Sequence, residues 1–238
     1  MDLSPSSAAY LPALRAGRWF SALAPAFADQ LVALAHPRRL ESGEALFLRG
    51  DALEGGLFAV VEGAIGFSGV GGPGEHAREA LLTLMGPGTW FGEIALFDGS
   101  PRTHDAHAVE PCVVLQVPRP PLLEWLHGHP AHWHDLGVLM SGRMRAAFAA
   151  LEELALLPAP QRLARRIVAM ARGYGERVAD APAQPRLQVT QEQLALMLSI
   201  SRQTVNQLLQ GLQARGILRV QRGEIEILQW QALCAERF

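Results

Sequence analysis

The hydrophobic period of this chain changes once, and that change restricts the fold to a β-domain followed by a helical one. From Leu40 to Val117, short apolar runs such as Ala45-Leu46-Phe47-Leu48, Leu57-Phe58-Ala59-Val60-Val61 and Val113-Val114-Leu115 are separated by glycine-rich turns. That is the pattern of a compact antiparallel β-domain. Gly69-Val70-Gly71-Gly72-Pro73-Gly74 reads as a flexible loop between two of its strands. From about Pro130 the spacing becomes three or four residues, through Leu136, Met140, Met144, Ala147, Leu151 and Leu154. This predicts one long helix of roughly 40 Å, at about 1.5 Å per residue. Leu157-Pro158-Ala159-Pro160 ends it, because each proline disfavours helix in the residue before it, and is the candidate hinge. A further helix is expected over Arg162 to Arg172, then a polar linker from Gly173 to Pro185.

The long helix carries an apolar seam longer than a small β-domain needs for cover, with two internal glycines, Gly137 and Gly142. A second copy of the helix would bury Met140, Met144, Ala147, Leu151 and Leu154 in a parallel homodimer contact within residues 136–154. The same stripe could instead pack wholly within its own subunit, and periodicity alone leaves both open. At the N-terminus, Trp19, Phe20, Leu23, Phe27 and Leu31 recur at helical spacing, and Arg15 and Arg18 interrupt the apolar run. Ala24-Pro25-Ala26-Phe27-Ala28 therefore reads as part of amphipathic helices packing on the domain, not as a cleavage site. No apolar stretch reaches the ~18 residues of a membrane span. With 238 residues, 49% of them hydrophobic, two modest domains are expected. The two cysteines, Cys112 and Cys234, form neither a zinc pattern nor a disulfide framework, so the cytoplasm is the expected compartment.

The net charge of −2 hides an asymmetry. Residues 1–157 carry 10 Arg against 17 acids, a balance of −7, and residues 158–238 carry 11 Arg against 6 acids, a balance of +5. A basic last part suits a polyanion such as double-stranded DNA. Within it, Thr190 and Gln193 form a capping box that starts a helix with Leu194, Met197 and Leu198 inward. A break at Ser199-Ile200-Ser201 precedes a second helix with Val205, Leu208, Leu209 and Leu212 inward and Arg202, Gln203, Asn206 and Gln207 outward. Arginine can bond guanine twice, and glutamine or asparagine can do so with adenine. Gly216 to Ile227, with a turn at Gln221-Arg222-Gly223, reads as a β-hairpin wing on this helix-turn-helix.

In the β-domain, Phe91 to Thr103 places a helix start, a carboxylate and an arginine within one short segment. Gly92 lets backbone approach a ligand, and the amides of the following turn, from Glu93 through Ile94 and Ala95, attract an anion. Arg102 offers a bidentate fork for phosphate, Thr103 a hydroxyl donor, and Glu93 an acceptor for a ribose hydroxyl. The segment resembles the phosphate-binding cassette of cyclic-nucleotide-binding domains, and the resemblance extends to Gly43, Gly50, Gly63 and Gly88, which mark β-roll turns in that family.

From about Trp19 to Ile227 the chain is similar to transcription regulators of the Crp/Fnr family. The resemblance implies an α+β chain with a jelly-roll-like cyclic-nucleotide-binding β-roll and N-terminal helices over residues 1–129. A dimerisation helix over 130–157 and a winged helix-turn-helix over 158–238 would follow. It implies that Gly92 and Glu93 face ribose and phosphate, that Arg102 and Thr103 clamp the cyclic phosphate, and that Arg143 pairs with Glu93 or is solvated. It places Arg202 at guanine, with Thr190, Ser201 and Thr204 at backbone phosphates and Arg222 on the wing. The implied partners are a pseudo-palindromic operator, a second copy of the chain and RNA polymerase. The implied effector is a cyclic nucleotide, cyclic AMP first.

The departures bear on that effector. Ala147 and Phe148 stand where cyclic-AMP receptors supply hydroxyls to adenine, so cyclic di-GMP or a ligand-independent regulator also fits. Gln203 and Gln207 replace the family's Glu and second Arg, so the half-site need not be the familiar one. Two cysteines cannot ligate an iron–sulphur cluster. His127, His129, His132 and His134 leave a haem or metal site as a lesser alternative to solvated or interface histidines. Residue types and spacing give no nucleophilic triad or paired carboxylates, so no enzyme and no metal site is expected.

Overall fold

Why the run Leu57 to Val61 is apolar without alternation is explained by its place in the sheet. In the computed structural model it forms a strand buried on both faces. The structure describes residues 7–52, 55–71, 78–173, 177, 183 and 185–236. After short helices at Leu11–Arg15 (α1), Arg18–Ser21 (α2) and Pro25–Leu34 (α3), the strands run His36–Leu40 (β1), Ala45–Phe47 (β2), Leu57–Glu62 (β3), Ile65–Gly71 (β4), Arg78–Met85 (β5) and Trp90–Phe91 (β6). Helix Ile94–Asp98 (α4), strands Asp105–Ala108 (β7) and Cys112–Val117 (β8), and helix Arg119–Gly128 (α5) complete this part. The strands form two four-stranded sheets, ordered β1-β8-β3-β6 and β2-β7-β4-β5.

β3 lies between β8 and β6, pairing antiparallel with both. Its alternate side chains therefore reach different cores. Phe58 and Val60 join Ile65, Phe91, Ala106 and Val114 in one cluster. Leu57, Ala59 and Val61 join Leu115, Trp90, Trp19, Phe20, Phe27 and Leu31 in the other, which confirms that the N-terminal apolar residues pack on the domain. Each fully buried large side chain contributes about 1.5–3 kcal/mol. The four expected turn glycines, Gly43, Gly50, Gly63 and Gly88, all have positive φ, between 69° and 89°. β4 runs through Gly71, so the expected loop from Gly69 begins later than predicted, and its remainder lies outside the described residues.

The long helix begins at Trp133, after a single 3-10 turn at Pro130–His132, and runs to Leu156 (α6). The next helix, Ala159–Ala171 (α7), starts three residues earlier than the sequence suggested. Pro158 caps it and Pro160 sits in its first turn, where a missing N–H costs nothing. Most of the expected linker from Gly173 to Pro185 falls outside the described residues. Strand Arg186–Gln188 (β9), helices Gln191–Leu198 (α8) and Arg202–Ala214 (α9), strands Leu218–Gln221 (β10) and Glu224–Ile227 (β11), and helix Trp230–Ala235 (α10) follow, with a sheet ordered β10-β11-β9. Two compact units result, one mainly Met1–Ser68 with Leu84–Ala146, the other mainly Ala147–Gly175 with Asp180–Phe238. No helix among the described residues is long and apolar enough to cross a membrane.

Candidate effector cassette and DNA-recognition helix

The cassette is a sharp corner between β6 and α4. Gly92 has φ of 98°, and a Cβ there would stand 2.7 Å from the Gly56 carbonyl oxygen and 3.1 Å from Arg102 Nη1. Glu93 follows in helical conformation, α4 runs five residues, and Gly99 closes it at φ 63°. So short a helix has little macrodipole, and its amides act as individual hydrogen-bond donors. Glu93 is 3% exposed and Ala95 is buried, whereas Ile94 is exposed.

Arg102 enters the same corner from the far side of the loop. It is 7% exposed, donates from Nη2 to the Gly56 carbonyl at 2.9 Å, and lies over the rings of Phe47 and Phe58. Burial lowers its pKa, and the negative charges of Glu93 and Asp51 oppose that shift. Its backbone is pinned as well, since Gly50 N–H donates to the Arg102 carbonyl and Arg102 N–H to that of Asp51. Thr103 is exposed, with its hydroxyl 2.9 Å from His104 Nδ1. Arg143, from α6, donates to the Trp90 carbonyl at 2.7 Å, two residues before Gly92. The structure thus brings Gly92, Glu93, Ala95 and Arg102 into one buried corner and anchors Arg143 beside it. Ile94 and Thr103 lie on its outer side.

The recognition face is built by two capped helices. Thr190 and Gln193 form the capping box of α8, each bonding the other's backbone N–H. Ser199 at φ 53° turns the chain, and Ser201 caps α9 by accepting from Thr204 N–H at 3.0 Å. Val205, Leu209 and Leu212 are buried, Leu208 half-buried, and Arg202, Gln203 and Gln207 exposed. Thr204 is half-buried and Arg222 exposed on the wing turn. A cleft of about 720 Å³ between α9 and the wing is lined by Thr190, Arg202, Asn206, Gln210 and Arg222, among others. Asn206 is half-buried on this flank, and its Oδ1 accepts from Gln191 Nε2 at 3.3 Å. It lies beside the outermost line of α9. A step of about 100° per residue puts Gln203, Gln207 and Gln210 on that line.

The cyclic nucleotide-binding domain family matches residues 37–129, and the Crp-like helix-turn-helix domain family matches residues 161–236. A cyclic AMP receptor protein from Thermus thermophilus is 30% identical over 211 residues, covering 87% of this chain and 91% of that protein. The chain belongs to the Crp/Fnr family of transcription regulators. As a Crp/Fnr regulator it is a DNA-binding protein with a cyclic nucleotide-binding domain, in a family that regulates transcription and is not enzymatic. Solved structures share its fold. FixK2 from Bradyrhizobium japonicum aligns with a TM-score of 0.74 at 20% identity, over 86% of this chain and 98% of its own. The c-di-GMP-responsive regulator CLP from Xanthomonas campestris aligns at 0.64 and 22% identity, over 84% and 96%.

On this Crp/Fnr scaffold the histidines expected as solvated or interface groups are partly structural. His129 stacks on Trp125 with ring centres 4.1 Å apart, and His132 packs against Phe27 and bonds Asp135 at 2.8 Å. Among the described residues no group of three His, Cys, Asp or Glu is arranged to hold a metal. The seam of the long helix is also divided. Leu136, which begins the helical stripe, is buried with Leu139 in its own chain's core. Beyond it Met144, Phe148, Leu151 and Leu154 are more than half exposed. Two residues were missed by the sequence reading. Gln210 follows Gln207 by three positions and was available from the helical period, whereas the His104 contact with Thr103 had no periodic signal.

Proposed function

We propose that this regulator is a homodimer whose operator binding is modulated by a cyclic nucleotide held at Gly92, Glu93, Ile94, Ala95, Arg102, Thr103 and Arg143, with cyclic AMP the first ligand to test. The observation that carries this reading is the burial of Glu93 and Arg102 in one corner around Gly92. A carboxylate and a guanidinium held together there can divide a ribose hydroxyl and a phosphate between them. The name of the Thermus relative favours cyclic AMP. The exposed stripe Met144, Phe148, Leu151 and Leu154 supports a second copy of α6 as its cover. DNA recognition is assigned to Arg202, Gln203 and Gln207 at base edges. Thr190, Ser201, Thr204 and Arg222 would serve the backbone, with Asn206 in the flanking cleft. Paired recognition helices would be set about 34 Å apart, one turn of B-DNA. RNA polymerase is the partner such a regulator would address.

A ligand can switch DNA affinity only by binding two states unequally. A second reading, regulation by cyclic di-GMP or without ligand, is favoured by the engagement of Arg102 with Gly56 and the two phenylalanine rings. Scanning fluorimetry with cyclic AMP, cyclic GMP and cyclic di-GMP separates these readings. A ligand of the native state raises the melting temperature, and no shift with any of the three leaves the ligand-independent reading.

A further inference from the structure

Thr103 offers one hydroxyl proton, and the structure places an imidazole nitrogen in competition for it. Thr103 Oγ1 lies 2.9 Å from His104 Nδ1. When Nδ1 is bare it accepts, and the hydroxyl proton points at His104. When Nδ1 carries a proton it donates to Oγ1, and the hydroxyl proton turns elsewhere. A phosphate diester only accepts, so it can take the Thr103 proton in the second arrangement and must compete for it in the first.

The surroundings of the ring decide which arrangement prevails. Burial holds the His104 pKa below its ordinary value of 6.5, the charge of Arg49 adds to that, and Asp105 opposes it. Arg49 comes from the loop after β2, and its backbone N–H donates to Asp105 Oδ1 at 2.6 Å, which fixes that carboxylate beside the ring. Arg102, the preceding cation, directs its guanidinium inward to Gly56. At neutral pH the ring is therefore neutral, and in its Nε2–H tautomer the bare Nδ1 faces Thr103 as the acceptor of the hydroxyl proton. A phosphate anion at Thr103 adds negative charge beside the ring and favours the imidazolium.

Resting on the reading of Arg102 and Thr103 as the phosphate clamp, we propose that His104 is a positioning residue for the cyclic phosphate, one that directs the Thr103 hydroxyl and takes up a proton when a cyclic nucleotide binds. One solvent proton goes to Nδ1, the Nδ1–H then donates to Thr103 Oγ1, and the hydroxyl proton rotates to a phosphate oxygen.

Calorimetric titration of the full-length protein with cyclic AMP, between about pH 5.5 and 8, tests this in buffers of different ionisation enthalpy. The expected result is net proton uptake and an affinity that tightens as pH falls, by up to about tenfold per unit, the limit for one linked proton. H104Q keeps a hydrogen-bonding side chain that does not titrate, and should flatten the profile. T103V should flatten it too and bind more weakly at low pH. Wild-type binding without proton uptake, or an H104Q slope equal to wild type, overturns the role of His104 and leaves the cassette reading standing. Absence of binding by cyclic AMP, cyclic GMP and cyclic di-GMP at every pH overturns the cassette reading and the His104 role with it.

Discussion

The guanidinium carbon of Arg102 lies 4.5 Å from the centre of the Phe47 ring. An arginine stacked there, and bonded to a main-chain carbonyl, belongs to the interior of the roll as well as to its proposed phosphate site. Substituting it should therefore alter both ligand response and folding. R102A should abolish the nucleotide-induced rise in melting temperature and lower stability by about 1.5–3 kcal/mol, the cost of a buried charged hydrogen bond. Urea unfolding of R102A and wild type measures the second effect.

Gly92 has a backbone that only glycine adopts readily, and a Cβ would crowd Gly56 and Arg102. G92A should lose about 1–3 kcal/mol through left-handed strain. It should also weaken nucleotide binding in calorimetry. An unchanged midpoint would mean that the corner relaxes without cost.

The divided seam of α6 gives opposite expectations for two leucines. Leu136 is 0% exposed, so L136A should cost about 2–5 kcal/mol of folding stability. Leu151 is 61% exposed, so L151D should leave the fold of each chain intact and convert dimer to monomer in sedimentation velocity.

Cys112 is buried, and desolvation, helped by Glu110 and Glu44, pushes its thiol up to about 11. Because the thiolate is the reactive form, iodoacetamide should label Cys234 well before Cys112 in native protein between about pH 7 and 9. The unfolded chain loses this proton first, near 9.0, so the thiol's contribution to stability is present below that value and fades as pH rises towards about 11. Equal labelling of both cysteines in native protein would contradict this.

Local chemistry was legible in the sequence wherever it determines local geometry. The Thr190–Gln193 capping box and the β6–α4 corner follow from short-range rules, and the positive-φ glycines stand where the family resemblance implied turns. The unbroken apolar run of β3 marked a strand, whereas its burial on both faces follows from its place between β8 and β6. Contacts set by distant partners were not legible. Arg102 meets Gly56 and Phe47 across 46 and 55 positions, and no spacing rule links them. A 3.6-residue period marks one stripe on α6, but which part the β-roll covers depends on Trp19, Phe27 and Leu126, which pack with Leu136 in the same core. The flank position of Asn206 could have been read from the helical wheel, but its bond to Gln191 required the angle between α8 and α9.

Arg202 is exposed at the first position of α9. R202A should weaken specific DNA binding by about 1–3 kcal/mol and relax preference at one base pair of each half-site. Q210A should produce a smaller loss on the same footprint. Selection from a random duplex pool, followed by anisotropy at fixed salt, measures both.

Nucleotide occupancy of the cassette should change DNA affinity. The most direct test is an anisotropy titration of wild-type protein onto a selected pseudo-palindromic duplex, with and without saturating cyclic AMP at constant salt. The expected result is a change in dissociation constant of about 5- to 150-fold, a coupling of about 1–3 kcal/mol. Superimposable curves with and without the nucleotide would contradict it.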